Sequence, residues 1–271
     1  MKIITEETHI NNIPVLSIYP EKGKSKPLII YLHGYGSNKE QGINFGYKMA
    51  KSGFFFISFD CIDHGERKNN NFHYEKTKFE SVYPSDSGLD TYIHMHEVIE
   101  QTQKDINIII DNFQENSQIN LEKVGLTGFS MGGFATFYNA AYNDSIKVAA
   151  PIAGKPLFKK AWKDIVLSTS TYDRWSDSIN NLQVETEKRT EFMEKIDPYS
   201  EIFNFAPKPL LIINGDQDTD QPYLYSLELY KKLLPYYKKE SEKLKLSMPF
   251  IDHRLTAGII NEVCAWFEKY L

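Results

Sequence analysis

Short, uninterrupted apolar segments recur along this chain and are separated by stretches of helical periodicity. Five of them have the length of a buried strand: PLIIYLH (27–33), FFFISFD (54–60), VGLTGF (124–129), KVAAPIAG (147–154) and PLLIING (209–215). A strand that is apolar on both faces is typical of a parallel sheet that helices cover on both sides. LKLSMPF (244–250) is a weaker candidate for one more strand.

Helical candidates fill the intervals between these strands, at residues 39–51, 88–115, 131–142, 222–239 and 256–270. Strand followed by helix, repeated, predicts a parallel sheet with right-handed crossovers. At the start of the chain, IITEETHI and PVLSIYP flank the turn-forming pair Asn11-Asn12. This pattern predicts an antiparallel hairpin at one edge of the sheet. The fold class is therefore α/β.

Residues 155–206 interrupt the alternation because they contain no convincing strand. We predict a helical insertion over the sheet, within a single domain spanning residues 1–271. Aromatic side chains are scattered through the insertion: Phe158, Trp162, Tyr172, Trp175 and Phe192. They either line an apolar acyl or aryl pocket or form the insertion's own core. Four lysines there, Lys155, Lys159, Lys160 and Lys163, either attract an anionic substrate or form a solvated helix face.

The composition limits the classes of partner. The 271 residues carry a formal net charge of −5, which argues against nucleic acid because phosphate binding needs concentrated Lys and Arg. The N-terminal MKIITEETHINN predicts no signal peptide, and no apolar run reaches the length of a membrane span. The two cysteines, Cys61 and Cys264, lack the spacing of a structural zinc site or a disulfide framework. We expect a reduced, cytoplasmic protein that needs no metal.

The stretch GFSMGG (128–133) lies where a predicted strand ends and a predicted helix begins. It fits the pattern G-x-S-x-G, in which a tight turn projects a serine above the sheet at a helix N-terminus. Glycines on both sides let the backbones pass closely. The alternative is a plain glycine-rich turn. The position at a strand–helix junction favours Ser130 as a nucleophile.

A nucleophilic serine needs a base, and the base needs a carboxylate to orient it. His253 follows the last strand candidate, and it is the only histidine that comes after both the serine and the acidic loop. Asp216, Asp218 and Asp220 follow the strand before it. Asp218 is the preferred acid because it lies further out on the loop, with Asp216 as the alternative. His94 and His96 are two residues apart, so a helix would point them to different faces and they cannot share a metal.

His33-Gly34-Tyr35-Gly36 follows the strand PLIIYLH. Acyl transfer needs two backbone N–H donors at the developing oxyanion, and we assign them to Tyr35 and Met131. His33 is predicted to brace this turn. The stretch DCIDHG (60–65) is predicted to brace the neighbouring loop, since His64 has the wrong place in the chain order to be the base.

These motifs, in this order, resemble the α/β-hydrolase superfamily. HGYG (33–36), DCIDHG (60–65), GFSMGG (128–133), GDQD (215–218) and His253 span nearly the whole chain. Within the superfamily the chain is similar to small bacterial carboxylesterases, dienelactone hydrolases and prolyl-oligopeptidase-like hydrolases. The resemblance implies an eight-stranded, mostly parallel sheet, a triad of Ser130, Asp218 and His253, no cofactor, and residues 155–206 as a cap.

Two features depart from these relatives. Asp252 stands before His253, where a glycine is often found. The large N-terminal propeller of prolyl oligopeptidases is absent, which makes peptides a less favoured substrate.

The function predicted from the sequence is hydrolysis of a small carboxylic ester, short-chain by preference. An acyltransferase, a peptidase or a thioesterase would use the same triad. A non-catalytic binding protein on this fold would not need serine, acid and base in order. Neither nucleic acid nor membrane is an expected partner, and an edge strand is compatible with a homodimer.

Overall fold

The protein, described by a computed structural model over residues 1–68, 88–170 and 179–271, contains an eight-stranded sheet in the order β1-β2-β4-β3-β5-β6-β7-β8. The strands are β1 (Ile3–Ile10), β2 (Ile13–Pro20), β3 (Lys26–Leu32), β4 (Phe55–Phe59), β5 (Ile119–Phe129), β6 (Val148–Ile152), β7 (Leu210–Ile213) and β8 (Leu244–Ser247). The β1–β2 hairpin is antiparallel and pairs antiparallel with β4, and the remaining pairs are parallel. This confirms the predicted mostly parallel sheet with an antiparallel hairpin at one edge.

Helices flank the sheet on both faces. They are α1 (Ile43–Lys51), α2 (Leu89–Asn112), α3 (Met131–Tyr142), α4 (Phe158–Ser170), α5 (Ile179–Lys195), α6 (Leu224–Leu233) and α7 (Ala257–Tyr270). The side chains of successive β3 residues point to opposite faces of the sheet, as in any pleated strand. Ile30 packs in the cluster that includes α2 and α3, whereas Ile29 packs in the cluster that includes α1 and α7. Burial on both faces explains the uninterrupted apolar strands.

Several elements differ from their predicted bounds. The helix expected over 88–115 ends at Asn112, and the strand expected over 244–250 ends at Ser247. The helix expected over 222–239 ends at Leu233 and continues as a 3-10 turn, Leu234–Tyr237, because Pro235 has no N–H for an α-helical hydrogen bond. The helix expected over 39–51 begins as a 3-10 turn, Lys39–Gly42. Strand β5 begins at Ile119 instead of Val124, because Ile119 and Asn120 pair with the start of β3 before a register shift that leaves residues 121–123 without a partner on β3.

The segment 155–206 contains α4, α5 and a 3-10 stretch, Pro198–Asn204, and its described residues include no strand. Phe158, Trp162 and Phe192 are buried in the hydrophobic core. This favours a role in packing over a role in lining an acyl or aryl pocket for these three residues. Tyr172 and Trp175 lie outside the described residues. That this segment caps the site, within a single domain, stays a prediction.

An ion pair ties the segment 155–206 to the body of the fold. The guanidinium of Arg189, on α5, is fully buried and donates to the carboxylate of Asp90 on α2, at 2.6 Å. A buried pair of this kind fixes geometry more than it adds net stability, because both ions lose their hydration.

In the part of the chain that the structure describes, no helix combines the length and the apolarity needed to cross a bilayer.

Acid should destabilise the fold through His96, which is fully buried and packs edge-on against Phe158. Its Nδ1–H donates to the Tyr92 carbonyl at 2.8 Å, and burial lowers the pKa of His96 to about 3. The unfolded chain binds this proton below about pH 6.5 and the folded chain does not, so the free energy of unfolding falls as pH decreases from about 6.5.

We expect His96→Phe to reduce the difference in unfolding free energy between pH 7 and pH 5 by about 2 kcal/mol, measured by urea titration at both pH values. Phe158→Leu is the matched control, since it loosens the same contact without removing a titrating group. It should lower stability equally at both pH values. An unchanged pH dependence in His96→Phe would contradict this account.

Candidate active site

Ser130 lies at the turn between β5 and α3. Its backbone, with φ 56° and ψ −118°, has a conformation that residues other than glycine rarely adopt. Its N–H donates to the Ile152 carbonyl at 3.0 Å, which ties the turn to the end of β6. The turn needs glycine at position 132, because an added Cβ there would lie 1.9 Å from the Leu32 carbonyl oxygen. Such strain is retained where the surrounding structure enforces it, which is characteristic of functional turns. A plain glycine turn would not need a serine in this conformation.

The loops that follow β7 and β8 run side by side. The parallel pairing continues past the strands, with Asn214 N–H donating to the Ser247 carbonyl and Gln217 N–H donating to the Ile251 carbonyl, both at 3.1 Å. Gly215 permits this approach, since an added Cβ would lie 2.3 Å from the Ile251 carbonyl oxygen. The two loops therefore bring Asp218 and His253 to the carboxyl edge of the sheet where Ser130 lies.

Three of the predicted site residues form one hydrogen-bonded series. His253 Nδ1–H donates to Asp218 Oδ2 at 2.7 Å. This donation leaves Nε2 of a neutral imidazole as an acceptor, and the Ser130 hydroxyl lies 3.0 Å from it. The other oxygen of Asp218 accepts the Gln221 N–H at 2.7 Å. Asp218 is buried and His253 is about one-fifth exposed, so the carboxylate is shielded while the imidazole stays accessible.

The alternative acid is placed elsewhere. Asp216 uses its own N–H to hold the Pro249 carbonyl at 3.0 Å, and the oxygen that contacts the His253 ring belongs to Asp218. Asp252, which stands where relatives often have glycine, is exposed and pairs with Arg254. Its side chain is therefore engaged away from the Ser130–His253–Asp218 series.

The two predicted oxyanion donors, Met131 and Tyr35, belong to two segments that meet at Ser130. Met131 is the first residue of α3, so its N–H has no acceptor within the helix and faces the turn. An added Cβ on Gly34 would lie 3.6 Å from the Ser130 Cβ, so the turn that carries the Tyr35 amide passes beside the serine. Their role as donors to an oxyanion stays a prediction.

Tyr35 is held by a second imidazole that sequence reasoning did not connect with it. His94, on α2, lies 3.2 Å from the Asp63 carboxylate through Nε2 and 3.0 Å from the Tyr35 hydroxyl through Nδ1. Since the carboxylate only accepts, Nε2–H donates to Asp63 and the tyrosine hydroxyl donates to Nδ1. No local sequence signal links three residues that are this far apart. Likewise, nothing in the sequence marks Gln41, whose side chain accepts the Gly34 N–H at 2.8 Å.

The residues that were predicted to brace the loops do contact them. His33 accepts the Cys61 N–H through Nε2 at 3.1 Å and donates to the Gly34 carbonyl at 2.8 Å. Burial lowers the pKa of His33 to about 4, so the ring is neutral. The Asp60 carboxylate accepts the N–H groups of Lys39 at 2.7 Å and Glu66 at 2.9 Å.

His64 lies outside the hydrogen-bonded series of Ser130. Its Nδ1–H donates to the Ile62 carbonyl at 2.8 Å, and its ring packs edge-on against Tyr35 with centroids 5.1 Å apart. Burial lowers the pKa of His64, so its ring is a neutral packing element beside the Tyr35 loop.

One group of side chains among the described residues has the spacing of metal ligands. Ligand atoms of Asp218, Asp220 and His253 lie within 4.8 Å of one another. Two of these residues already share the hydrogen bond between His253 and Asp218, and a metal at this point would break it. The acid–base role of His253 and Asp218 stays a prediction.

The four lysines of the segment 155–206 separate into two groups. Lys159 pairs with Glu194, Lys160 pairs with Glu228, and Lys163 is exposed. These three fit the solvated helix face that was one of the two predicted readings. Lys155 differs from them, because it precedes α4 and is buried.

Two family models match this chain. The model of the prolyl oligopeptidase family matches residues 95–271, and the model described as phospholipase/carboxylesterase matches residues 14–154. Each covers more than half of the chain, and together they include every residue of the hydrogen-bonded series and the HGYG turn.

Full-length relatives agree with these matches. The chain is 24% identical to the protein named "Putative esterase YitV" of Bacillus subtilis (strain 168) and 21% identical to "Esterase YjfP" of Escherichia coli (strain K12), with 98% of each chain covered in both cases. Among solved structures, TT1662 from Thermus thermophilus superposes with a TM-score of 0.73 at 18% identity, covering 100% of this chain and 98% of that one. The structural likeness concerns the fold.

Proposed function

This chain belongs to the α/β-hydrolase superfamily and is an ester-cleaving hydrolase, and on that premise we propose that it cleaves short-chain carboxylic esters through an acyl-enzyme on Ser130. The observation that carries the proposal is the continuous series of hydrogen bonds from Ser130 through His253 to Asp218. A serine hydroxyl is a weak nucleophile unless a base takes its proton. The series supplies that base and the acid that orients it.

The proton moves along the bond between Ser130 and His253. As Oγ attacks the ester carbonyl carbon, the C=O π bond becomes an oxyanion and the hydroxyl proton passes to Nε2 of His253. Asp218 holds the tautomer that leaves Nε2 free to accept, and its negative charge stabilises the imidazolium that forms. The Gln221 N–H fixes the other carboxylate oxygen, so the carboxylate cannot rotate away from the imidazole.

The oxyanion of the tetrahedral intermediate needs fixed donors, and we propose the amides of Tyr35 and Met131 for this role. Met131 opens α3, where the helix N-terminus favours negative charge. The Tyr35 amide is carried by a turn that Gln41 and His94 hold in place. Donors that are already in position need no reorganisation during the reaction, which is the source of their effect on rate.

Collapse of the intermediate breaks the ester C–O bond, and His253 returns its proton to the leaving alcohol oxygen. Water then adds to the acyl carbonyl as His253 takes one of its protons. The second intermediate releases the carboxylic acid and restores the Ser130 hydroxyl. Every proton that His253 takes is returned within the cycle, so the proposed reaction needs no cofactor.

Peptides form the second candidate substrate class, since the model of the prolyl oligopeptidase family matches residues 95–271. An amide would require the same proton donation from His253, to a leaving nitrogen. Aminoacyl 4-nitroanilides separate this class from esters, because their turnover would require amide cleavage.

We propose the cytoplasm as the compartment, where the buried free thiols of Cys61 and Cys264 would stay reduced.

The test is hydrolysis of a p-nitrophenyl ester series from acetate to decanoate, with Ser130→Ala as the background reaction. We expect serine-dependent turnover with an optimum at short acyl chains. When an alcohol is added, the acyl group should still be transferred to water. Transfer to the alcohol would identify an acyltransferase. Serine-independent turnover, or none with any ester, would contradict the proposed function.

A further inference from the structure

Lys155 lies where the chain leaves the catalytic edge of the sheet. Strand β6 ends at Ile152, whose carbonyl accepts the Ser130 N–H at 3.0 Å. Two residues later, Gly154 packs against the start of α3, where an added Cβ would lie 2.5 Å from the carbonyl carbon of Gly133. Lys155 follows directly, so its backbone is anchored to the serine turn.

The Lys155 side chain is largely buried, and its ammonium has no bonded partner. The residue is only 9% exposed, and across residues 1–68, 88–170 and 179–271 no carboxylate forms an ion pair with it and no oxygen accepts its hydrogen bond. Its ammonium lies over the face of the Tyr225 ring, with Nζ 5.3 Å from the ring centroid. Lys155 Nζ is not one of the enclosed polar atoms that lack a partner, so a largely buried side chain presents an ammonium whose hydrogen bonds no described residue accepts.

The charges that act on Lys155 connect it to the active site. Burial lowers the pKa of Lys155, and the carboxylates of Asp218, Asp164 and Asp220 oppose that shift. None of the three is bonded to the ammonium. Asp218 is engaged by His253 and Gln221, Asp164 accepts the Tyr225 hydroxyl at 2.7 Å, and Asp220 is exposed. The ammonium therefore has no bonded carboxylate, and the charge of Asp218, the acid of the Ser130–His253–Asp218 series, acts on it.

We propose that Lys155 is a specificity-determining residue that binds an anionic group, a carboxylate, on the ester substrate. This inference rests on the proposed esterase function and adds the chemical class of the substrate: an ester that carries a negative charge a few bonds from the scissile carbonyl. The anion would accept the hydrogen bonds of the Lys155 ammonium that no described residue accepts. Tyr225 would keep the lysine side chain directed toward it through the cation–π contact.

Two pairs of esters test this, each matched in size and differing in charge. Monomethyl adipate and methyl heptanoate place the difference on the acyl side, and 4-acetoxybenzoate and its methyl ester place it on the alcohol side. We expect the wild-type enzyme to prefer the anionic member of at least one pair. In Lys155→Met, kcat/KM for that anionic ester should fall about 10–100-fold, as for loss of a charged hydrogen bond, while its neutral partner changes less than about threefold.

Lys160→Met is the matched control. Lys160 lies 5.9 Å from the same Tyr225 ring, but it is half exposed and paired with Glu228, so its loss should leave both members of each pair unchanged. Lys155→Arg keeps the charge and should retain part of the preference, which separates loss of charge from loss of fold. Melting temperatures of all variants complete the set.

Three results would overturn the inference. The first is an equal loss of kcat/KM for both members of a pair in Lys155→Met, which would indicate that Lys155 supports the Asp218 loop. The others are a wild-type enzyme that prefers neither anionic ester, and a preference for the anionic ester that persists in Lys155→Met. In each case serine-dependent hydrolysis of the neutral esters would still uphold the esterase function. If no ester of either kind is hydrolysed, the proposed function fails instead.

Discussion

Replacement of His253 by alanine should lower kcat for ester hydrolysis by about 10⁴–10⁶-fold. The imidazole is the only group in the described part of the chain that contacts the Ser130 hydroxyl through a basic nitrogen, at 3.0 Å, and without it the proton has no acceptor during attack. The fold should tolerate the change, because the His253 side chain is about one-fifth exposed and lies on a loop. His9→Ala removes a surface imidazole at the sheet edge and should leave kcat unchanged.

The two acid candidates should give a graded result in the same assay. Asp218→Asn should lower kcat by about 10³–10⁴-fold, since the amide would favour the wrong tautomer of His253. Asp216→Asn should stay within about tenfold of the wild type, because the His253 ring contacts the other carboxylate. The reverse order, or a His253→Ala enzyme that retains more than about one hundredth of wild-type kcat, would contradict the proposed proton transfer.

Gly132→Ala should produce the largest loss of stability from a single methyl group. The added Cβ would lie 1.9 Å from the carbonyl oxygen of Leu32, and both partners are backbone that cannot rotate aside. Overpacking of this kind costs about 3 kcal/mol. Relief by shifting α3 would move the Met131 amide away from Ser130. We therefore expect a lower free energy of unfolding by urea titration and, in the fraction that folds, a lower kcat.

Gly258→Ala is the matched control for this prediction. Gly258 lies in the first turn of α7, is exposed, and its added Cβ would meet nothing closer than Thr256 Oγ1 at 3.7 Å. Alanine is the better helix former, so this variant should be more stable than the wild type by about 0.5 kcal/mol. A Gly132→Ala protein that unfolds like the wild type and keeps its activity would contradict the close approach of Gly132 to the Leu32 carbonyl.

Much of the fold could be predicted from the sequence because its signals are local and repeated. Residues such as Ile29 and Ile30 are buried on opposite faces of β3, which requires an apolar run that is visible in the sequence. The antiparallel hairpin follows from the turn at Asn11 and Asn12, both of which have positive φ. Ser130, Asp218 and His253 each follow a strand, and parallel strands deliver such residues to one edge.

What could not be predicted depends on contacts between distant residues. The contact of His94 with Tyr35 and Asp63 joins three elements, and its residue types alone do not indicate a shared position. Four lysines near one helix look alike in the sequence, and only the fold separates the buried Lys155 from the paired Lys159 and Lys160. The choice of Asp218 over Asp216 likewise depends on which loop oxygen reaches the imidazole.

The most direct test of the account is the site of covalent labelling by a fluorophosphonate, located by peptide mass spectrometry of the wild type, Ser130→Ala and His253→Ala. We expect one phosphonylated residue, Ser130, in the wild type, no label in Ser130→Ala, and slow labelling of the same serine in His253→Ala. Undiminished labelling of the Ser130→Ala protein, or a wild-type label on another residue, would contradict the claim that Ser130 is the nucleophile.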